Sequence, residues 1–348
     1  MTTLADLGGW PAVLAPLVAG QDLPAESTRA AMAEILEGAA TPAQLAGFVV
    51  ALRMKGETVE ELTGLLDAML GAATLVPVDD VLQARLIDIV GTGGDRSHSI
   101  NVSTLASFVV AGAGVPVCKH GNRAASSACG AADLLEALGV TIELTPDDVV
   151  RCLEKAGLAF CFAPRFHPAL RHAGPPRREL GVPTAFNILG PMANPARVRR
   201  LVVGLADAAL ADRMLGVLQR HGAERVLIVH GDDGLDELTT TTTSVVWELD
   251  GDDTRTWRLD PDDLGLRRAA PADLVGGDPI NNAGCARAVL AGEPGPHRDV
   301  VVLNAAAGLL VGGAVDSLGA GIELAGAVLD DGRAAAALDA LVAASSPP

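Results

Sequence analysis

The 348-residue sequence has no tyrosine, and Phe and Trp bring aromatics to only 3%. The missing Tyr is consistent with a binding site that relies on Arg, Asn and His instead of an aromatic clamp. Cations are scarce too: 26 Lys and Arg stand against 43 Asp and Glu, a net charge of −17. That balance argues against a general nucleic-acid binder, which needs a basic footprint, and against docking on anionic lipid. No unbroken apolar run reaches about 18 residues, so no membrane span is expected. The cysteines Cys118, Cys129, Cys152, Cys161 and Cys285 form an odd set without CxxC spacing, unlike a disulfide framework. They read as small buried hydrophobes in a cytoplasmic protein. Residues 1–20 include Asp6 and lack a basic start, so no signal peptide is expected. No Ser-His-Asp or Cys-His arrangement for nucleophilic catalysis is evident in the sequence.

Apolar residues are abundant, at 49%, and there are 39 glycines. This excludes intrinsic disorder and suits one large domain with a smaller one. The first seventy-odd residues read as helices. Thr41-Pro42-Ala43-Gln44 and Thr58-Val59-Glu60-Glu61 carry capping-box patterns, and Leu62, Leu65, Leu66 and Met69 follow at helical spacing. From Leu86 the pattern changes. Short apolar runs at 86–90, 115–118, 159–162, 201–205, 226–229 and 300–303 alternate with helical stretches. This predicts an α/β fold with a small all-helical lobe and a mostly parallel central sheet. In such sheets ligands bind beyond the carboxyl ends of the strands.

Four segments at such ends carry candidate chemistry. Gly91-Thr92-Gly93-Gly94-Asp95 can bring backbone N–H groups close to an anion, although it is neither a Walker loop nor a dinucleotide fingerprint. Asn101-Val102-Ser103-Thr104 opens a helix, whose N-terminus favours a phosphate. Lys119-His120-Gly121-Asn122-Arg123, with Ser126 and Ser127 next, reads as a loop clamping an anion. Asp233-Gly234-Leu235-Asp236-Glu237 offers adjacent carboxylates suited to Mg²⁺. A tight turn, simple capping and acidic surface residues are the plainer readings of these segments taken singly. Between Phe160 and Arg200 lie seven Arg, seven Pro and one Glu, a basic crossing region in an acidic protein. Asp250 to Asp263 reads as a solvated hairpin, and Thr239 to Thr243 has no assigned role.

Together these segments resemble the anthranilate phosphoribosyltransferase family. The resemblance rests on GTGGD at 91–95, NVST at 101–104, KHGNRAASS at 119–127, ADLLEALGV at 132–140, FCFAPRFHPAL at 160–170, PRRELGVPTAFNILGPMANP at 176–195 and DGLDE at 233–237. It implies a helical lobe over residues 1–75, joined by part of 168–195, and an α/β lobe over 76–348. It implies an active site between them, a homodimer, and transfer of phosphoribose from phosphoribosyl pyrophosphate to the amine of anthranilate with Mg²⁺. By the same resemblance, Gly91, Gly94, Asp95, Ser99, Asn101, Ser103, Thr104, Lys119, Asn122 and Ser127 would bind the donor. Gly91, His120, Asn122 and Arg177 would bind anthranilate, with His167 and Arg171 in the acceptor channel. Ser103, Asp236 and Glu237 would hold the metal. Ala131 and Pro183 depart from residues that many members carry, which keeps open a related aromatic or nucleobase-like amine as acceptor. A pyrimidine nucleoside phosphorylase and a nucleic-acid-binding paralogue of the same shape are rival readings. The phosphate-loop signature and the net charge, respectively, stand against them.

Overall fold

The computed structural model describes residues 2–124 and 128–346. Four helices open the chain: α1 (Gly9–Val18), α2 (Ala25–Glu37), α3 (Pro42–Lys55) and α4 (Val59–Gly71). Both expected capping boxes form. The hydroxyls of Thr41 and Thr58 accept from the N–H groups of Gln44 and Glu61, whose side chains accept from the cap N–H in return. Gly64 lets α2 and α4 lie against one another, because a Cβ there would sit 2.0 Å from the carbonyl oxygen of Ala25.

One seven-stranded sheet follows: β1 (Ile87–Gly91), β2 (Val117–Gly121), β3 (Leu158–Phe162), β4 (Arg200–Gly204), β5 (Arg225–Gly231), β6 (Ser244–Asp250) and β7 (Asp253–Leu259). Their spatial order is β3-β2-β1-β4-β5-β6-β7. The first five run parallel, and β6 and β7 add an antiparallel edge. The chain builds outward from β1 to β2 and β3, then returns to place β4 on the other side of β1. That reversal opens a crevice at the carboxyl ends of β1 and β4, the position where open α/β sheets take ligands. Gly91 and Gly204 end those strands as register partners.

Strand residues alternate between two cores. Ile87, Ile89, Val202, Leu227 and Val229 join the core that includes the Val102–Gly112, Pro296–Val311 and Arg333–Ser345 helices. Val90, Leu201, Val203, Val226 and Ile228 join the core shared with α1 to α4 and the Ala211–Arg220 helix. The basic crossing region folds into short helical pieces, Pro168–His172, Gly174–Leu180 and Ala185–Met192. These contact α2, α3 and α4 respectively. No helix among the described residues is long and apolar enough to cross a membrane.

Three sequence expectations change. Val300 to Leu303 is not a strand but part of the Pro296–Val311 helix, which is buried from Val300 to Val311. A helix apolar on every side shows no 3.6-residue period, so a short window of it reads as a strand. The acidic hairpin is only half as expected: its turn falls at 251–252, and its first arm is β6, which begins at Ser244. Third, Lys119 and His120 lie inside β2 and are buried. They are not a surface loop.

Candidate active site

The crevice at β1 and β4 brings together three of the four candidate segments and, from the fourth, Lys119. The loop after β1 places Gly93 and Gly94 in the left-handed region, at φ 69° and 84°. The backbone N–H of Gly93 donates to Asp236 Oδ2 at 2.7 Å. The hydroxyl of Ser97 donates to Asp95 Oδ2 at 2.7 Å, folding the loop on itself. Ser99 forms a bridge with Val275. Asn101 stands just before the Val102–Gly112 helix, but its side chain makes no cap hydrogen bond. Instead its Nδ2 donates to the Cys129 carbonyl and its Oδ1 accepts from Asn282 Nδ2, each at 3.0 Å.

Glu237 meets this helix N-terminus directly. The N–H of Ser103 donates to Glu237 Oε1 at 3.1 Å. Lys119 rises from β2 beneath both: its Nζ donates to Ser103 Oγ at 3.2 Å and to the Ile89 carbonyl. The 233–237 loop lies across the strand ends because both strands end in glycine. A Cβ at Gly204 would meet the Asp236 carbonyl oxygen at 1.6 Å, and one at Gly91 would meet Asp236 Oδ2 at 2.4 Å.

Burial raises the Asp236 carboxyl well above the usual carboxylate range, and the charges of Glu237 and Asp95 push it further. Burial also lifts Glu237, to about 7, with Lys119 opposing the rise. Crowded carboxylates of this kind are a fitting place for a divalent cation. Among the described residues no three His, Cys, Asp or Glu side chains form a metal cage by themselves. The donor set, two carboxylates with a hydroxyl beside them, suits Mg²⁺, which keeps waters and takes ligand oxygens from phosphates.

The other expected residues divide. Asn122 is exposed, and its Oδ1 accepts from the Arg123 N–H at 2.8 Å. His120 is buried beside His167, with ring centroids 5.2 Å apart. The Gly190 backbone hydrogen-bonds the His120 ring while Nε2 has no partner. Burial, reinforced by His167, lowers His120 to about 3. His120 is therefore expected to stay neutral between about pH 5 and 8. Its NMR ring shifts should be flat across that range, and a titration midpoint near the free-histidine value would contradict this environment. Arg177 is half-buried and stacks on Phe186. Thr104 does not turn toward the crevice: it is 1% exposed, its hydroxyl is unpartnered, and it lines a small internal space with Phe108, Leu135 and Phe160. Arg123 is not a free clamp, since it pairs with Asp133 and Glu136. His167 Nε2 bonds the Ala193 carbonyl at 2.8 Å, and Arg171 is exposed. Ser126 and Ser127 lie outside the described residues.

Residues 83–335 match the glycosyl transferase family α/β domain, and residues 11–73 match the helical bundle domain of the same family. The chain is 53% identical to an anthranilate phosphoribosyltransferase of Saccharopolyspora erythraea, covering 97% of this chain and 96% of that one. The chain belongs to the anthranilate phosphoribosyltransferase family. The family's structure from Thermus thermophilus superposes with a TM-score of 0.89 at 42% identity, covering 96% of this chain and 99% of that one. A Saccharomyces cerevisiae member in complex with PRPP and Mg superposes with a TM-score of 0.87 at 27% identity, covering 97% of each chain.

In this anthranilate phosphoribosyltransferase-family chain, several supporting residues escape a reading by motif. The threonine run has a place after all. Thr239 Oγ1 donates to Asp233 Oδ2 at 2.8 Å, Thr241 also donates to Asp233, and Thr243 donates to Asp232. The run thus ties down the acidic loop. Asn304 brackets the residue after Glu237, accepting from the Leu238 N–H at 3.0 Å and donating to its carbonyl at 2.8 Å. The structure also places Cys285 Sγ 2.9 Å from His297 Nδ1, a contact between residues twelve positions apart. Burial raises the thiol and lowers the imidazole. The pair therefore stays neutral and is not an activated nucleophile.

Proposed function

We propose that this protein transfers the phosphoribosyl group of 5-phosphoribosyl 1-pyrophosphate to the amine of anthranilate, a step of tryptophan biosynthesis, giving N-(5-phosphoribosyl)anthranilate and pyrophosphate. One observation carries the reading: the glycine loop, the helix N-terminus and the Asp236–Glu237 pair meet at the β1–β4 crevice of a chain with this family identity. In the reaction the bond from the anomeric carbon to the pyrophosphate oxygen breaks, a carbon–nitrogen bond forms, and the amine loses a proton. The transition state is oxocarbenium-like, as in glycoside cleavage.

The residues divide the work. Gly91, Gly94, Asp95, Ser99, Asn101, Ser103, Lys119 and Asn122 take the donor, the N–H groups of Gly94 and Asp95 in the loop facing its phosphates. Thr104 contributes through backbone position, its hydroxyl being turned inward. Ser127 joins them on sequence grounds alone. Asp236 and Glu237, with the Ser103 hydroxyl beside them, hold Mg²⁺, which neutralises charge on the departing pyrophosphate. Lys119 supplies positive charge below the same site, its ammonium supported against burial by Asp88, Glu237 and Asp236. Gly91, His120, Asn122 and Arg177 face anthranilate, and the Arg177 guanidinium suits its carboxylate. An aromatic amine is already nucleophilic, and a His120 lowered to about 3 is a hydrogen-bond partner and not a base.

The same reading takes residues 1–75 with part of 168–195 as the helical lobe, and 76–348 as the donor lobe. Val18 on α1 and Met54 on α3, 81% and 83% exposed, support a homodimer. Five free cysteines support a cytoplasmic setting.

Arg177→Ala is expected to raise the anthranilate KM by roughly 30- to 100-fold, the scale of a lost charge-assisted pair, with the PRPP KM kept. An unchanged anthranilate KM would remove Arg177 from the acceptor site. The reaction itself is tested by mass spectrometry of the product made from PRPP and anthranilate. A joined phosphoribosyl-anthranilate with matching pyrophosphate supports the reading, and hydrolysis of PRPP alone contradicts it.

A further inference from the structure

Arg177 is an arginine whose guanidinium is desolvated by burial yet rests on an aromatic ring instead of an acid. It is half-buried, and among the described residues no carboxylate or carbonyl is hydrogen-bonded or paired to its guanidinium. Arg123, Arg255, Arg258, Arg268 and Arg298 by contrast all pair with acidic side chains. A partly buried cation without an anion is costly unless something else holds it. What holds it is a ring: the guanidinium carbon lies 4.7 Å from the centroid of Phe186. Phe186 is itself 4% exposed. It lies in the first turn of the Ala185–Met192 helix, which contacts α3 and α4. That turn is fixed at its start, where the Thr184 N–H donates to Asn187 Oδ1 at 3.0 Å. The ring is therefore a fixed platform, while Arg177 sits on a short helix ended by Gly181 in the left-handed region at φ 63°.

We propose that Phe186 is a positioning residue for the acceptor. Its face attracts and orients the guanidinium plane without consuming the N–H donors, which point outward from the edge of that plane. An aspartate or glutamate in its place would hold Arg177 too, but would occupy the fork that must receive a carboxylate. The inference rests on the reading of Arg177 as the anthranilate contact. It makes an aromatic residue in this aromatic-poor chain serve the acceptor site indirectly, through Arg177.

The test is a double-mutant cycle with steady-state kinetics and thermal melts on the full-length protein. Phe186→Leu keeps an apolar side chain and removes the π face; Phe186→Tyr keeps the face. For Phe186→Leu the anthranilate KM is expected to rise about 5-fold, the scale of a partly desolvated cation–π contact, with the PRPP KM unchanged. Phe186→Tyr should restore most of the loss. Combined with Arg177→Ala, Phe186→Leu should add little, because its effect passes through the guanidinium. An unchanged anthranilate KM in Phe186→Leu, full additivity with Arg177→Ala, or equal rises in both KM values would overturn the proposal. If Arg177→Ala alone leaves the anthranilate KM unchanged, it is the placement of Arg177 that fails, and this inference falls with it.

Discussion

Replacing Asp236 and Glu237 together by Asn and Gln is expected to lower turnover by about a thousand-fold or more, since a metal clamp contributes several kcal/mol to such a barrier. The amides keep the shape of the loop. Their carbonyl oxygens can still accept from the N–H of Gly93 and of Ser103, the two bonds that seat the loop against the strand ends. What disappears is charge. In the native protein that charge is held against burial and against the neighbouring acids. Removing it relieves repulsion, so the variant is expected to fold with a melting temperature unchanged or raised. Lower activity in a protein at least as stable marks a group kept for function. Near-normal turnover with unaltered Mg²⁺ dependence would sink the metal assignment.

The second large effect is on stability. Asp88 is 0% exposed in the middle of β1. Its carboxylate accepts from Asn194 Nδ2 at 2.8 Å and from the backbone N–H of His120 at 3.3 Å. Burial raises it to about 6, and the nearby Lys119 charge opposes that rise. Burial lowers Lys119 in turn, with Asp88 the leading charge that supports it. Asp88→Ala removes the leading support of a buried ammonium and leaves the His120 N–H without this acceptor. The expected cost is roughly 3–5 kcal/mol, the range for breaking one side of a buried charge pair. Chemical denaturation measures it. A loss below about 1 kcal/mol would mean that the Ile89 carbonyl, Ser103 and the charges of Glu237 and Asp236 hold Lys119 without Asp88.

Asp88 also shows what can and cannot be read from the sequence. Its strand is legible, because Ile-Asp-Ile-Val ended by a glycine reads as a buried strand. The Asp itself is one polar residue in that run, and its partners are 31 and 106 positions away. Pairings set by strand order leave no local spacing to find. Thr41 and Thr58 are legible for the opposite reason: a capping box is complete within four residues. The glycine loop, the helix N-terminus and the acidic pair are each readable. Their meeting is not, since it depends on Gly91 and Gly204 becoming register partners. Lys119 reads as a loop residue and lies in a strand because β2 extends past the apolar run, carrying its charge inward to the carboxylates. The threonine run carries no signal until its hydroxyls are seen on Asp232 and Asp233.

The central claim is that this crevice joins phosphoribose to anthranilate with help from Mg²⁺. Anthranilate is fluorescent, so the most direct measurement follows its emission with protein, PRPP and Mg²⁺ present, and then with each omitted in turn. The account predicts a steady loss of fluorescence in the complete mixture and a flat trace in every omission. No loss with all components present, or the same loss without PRPP, would contradict it.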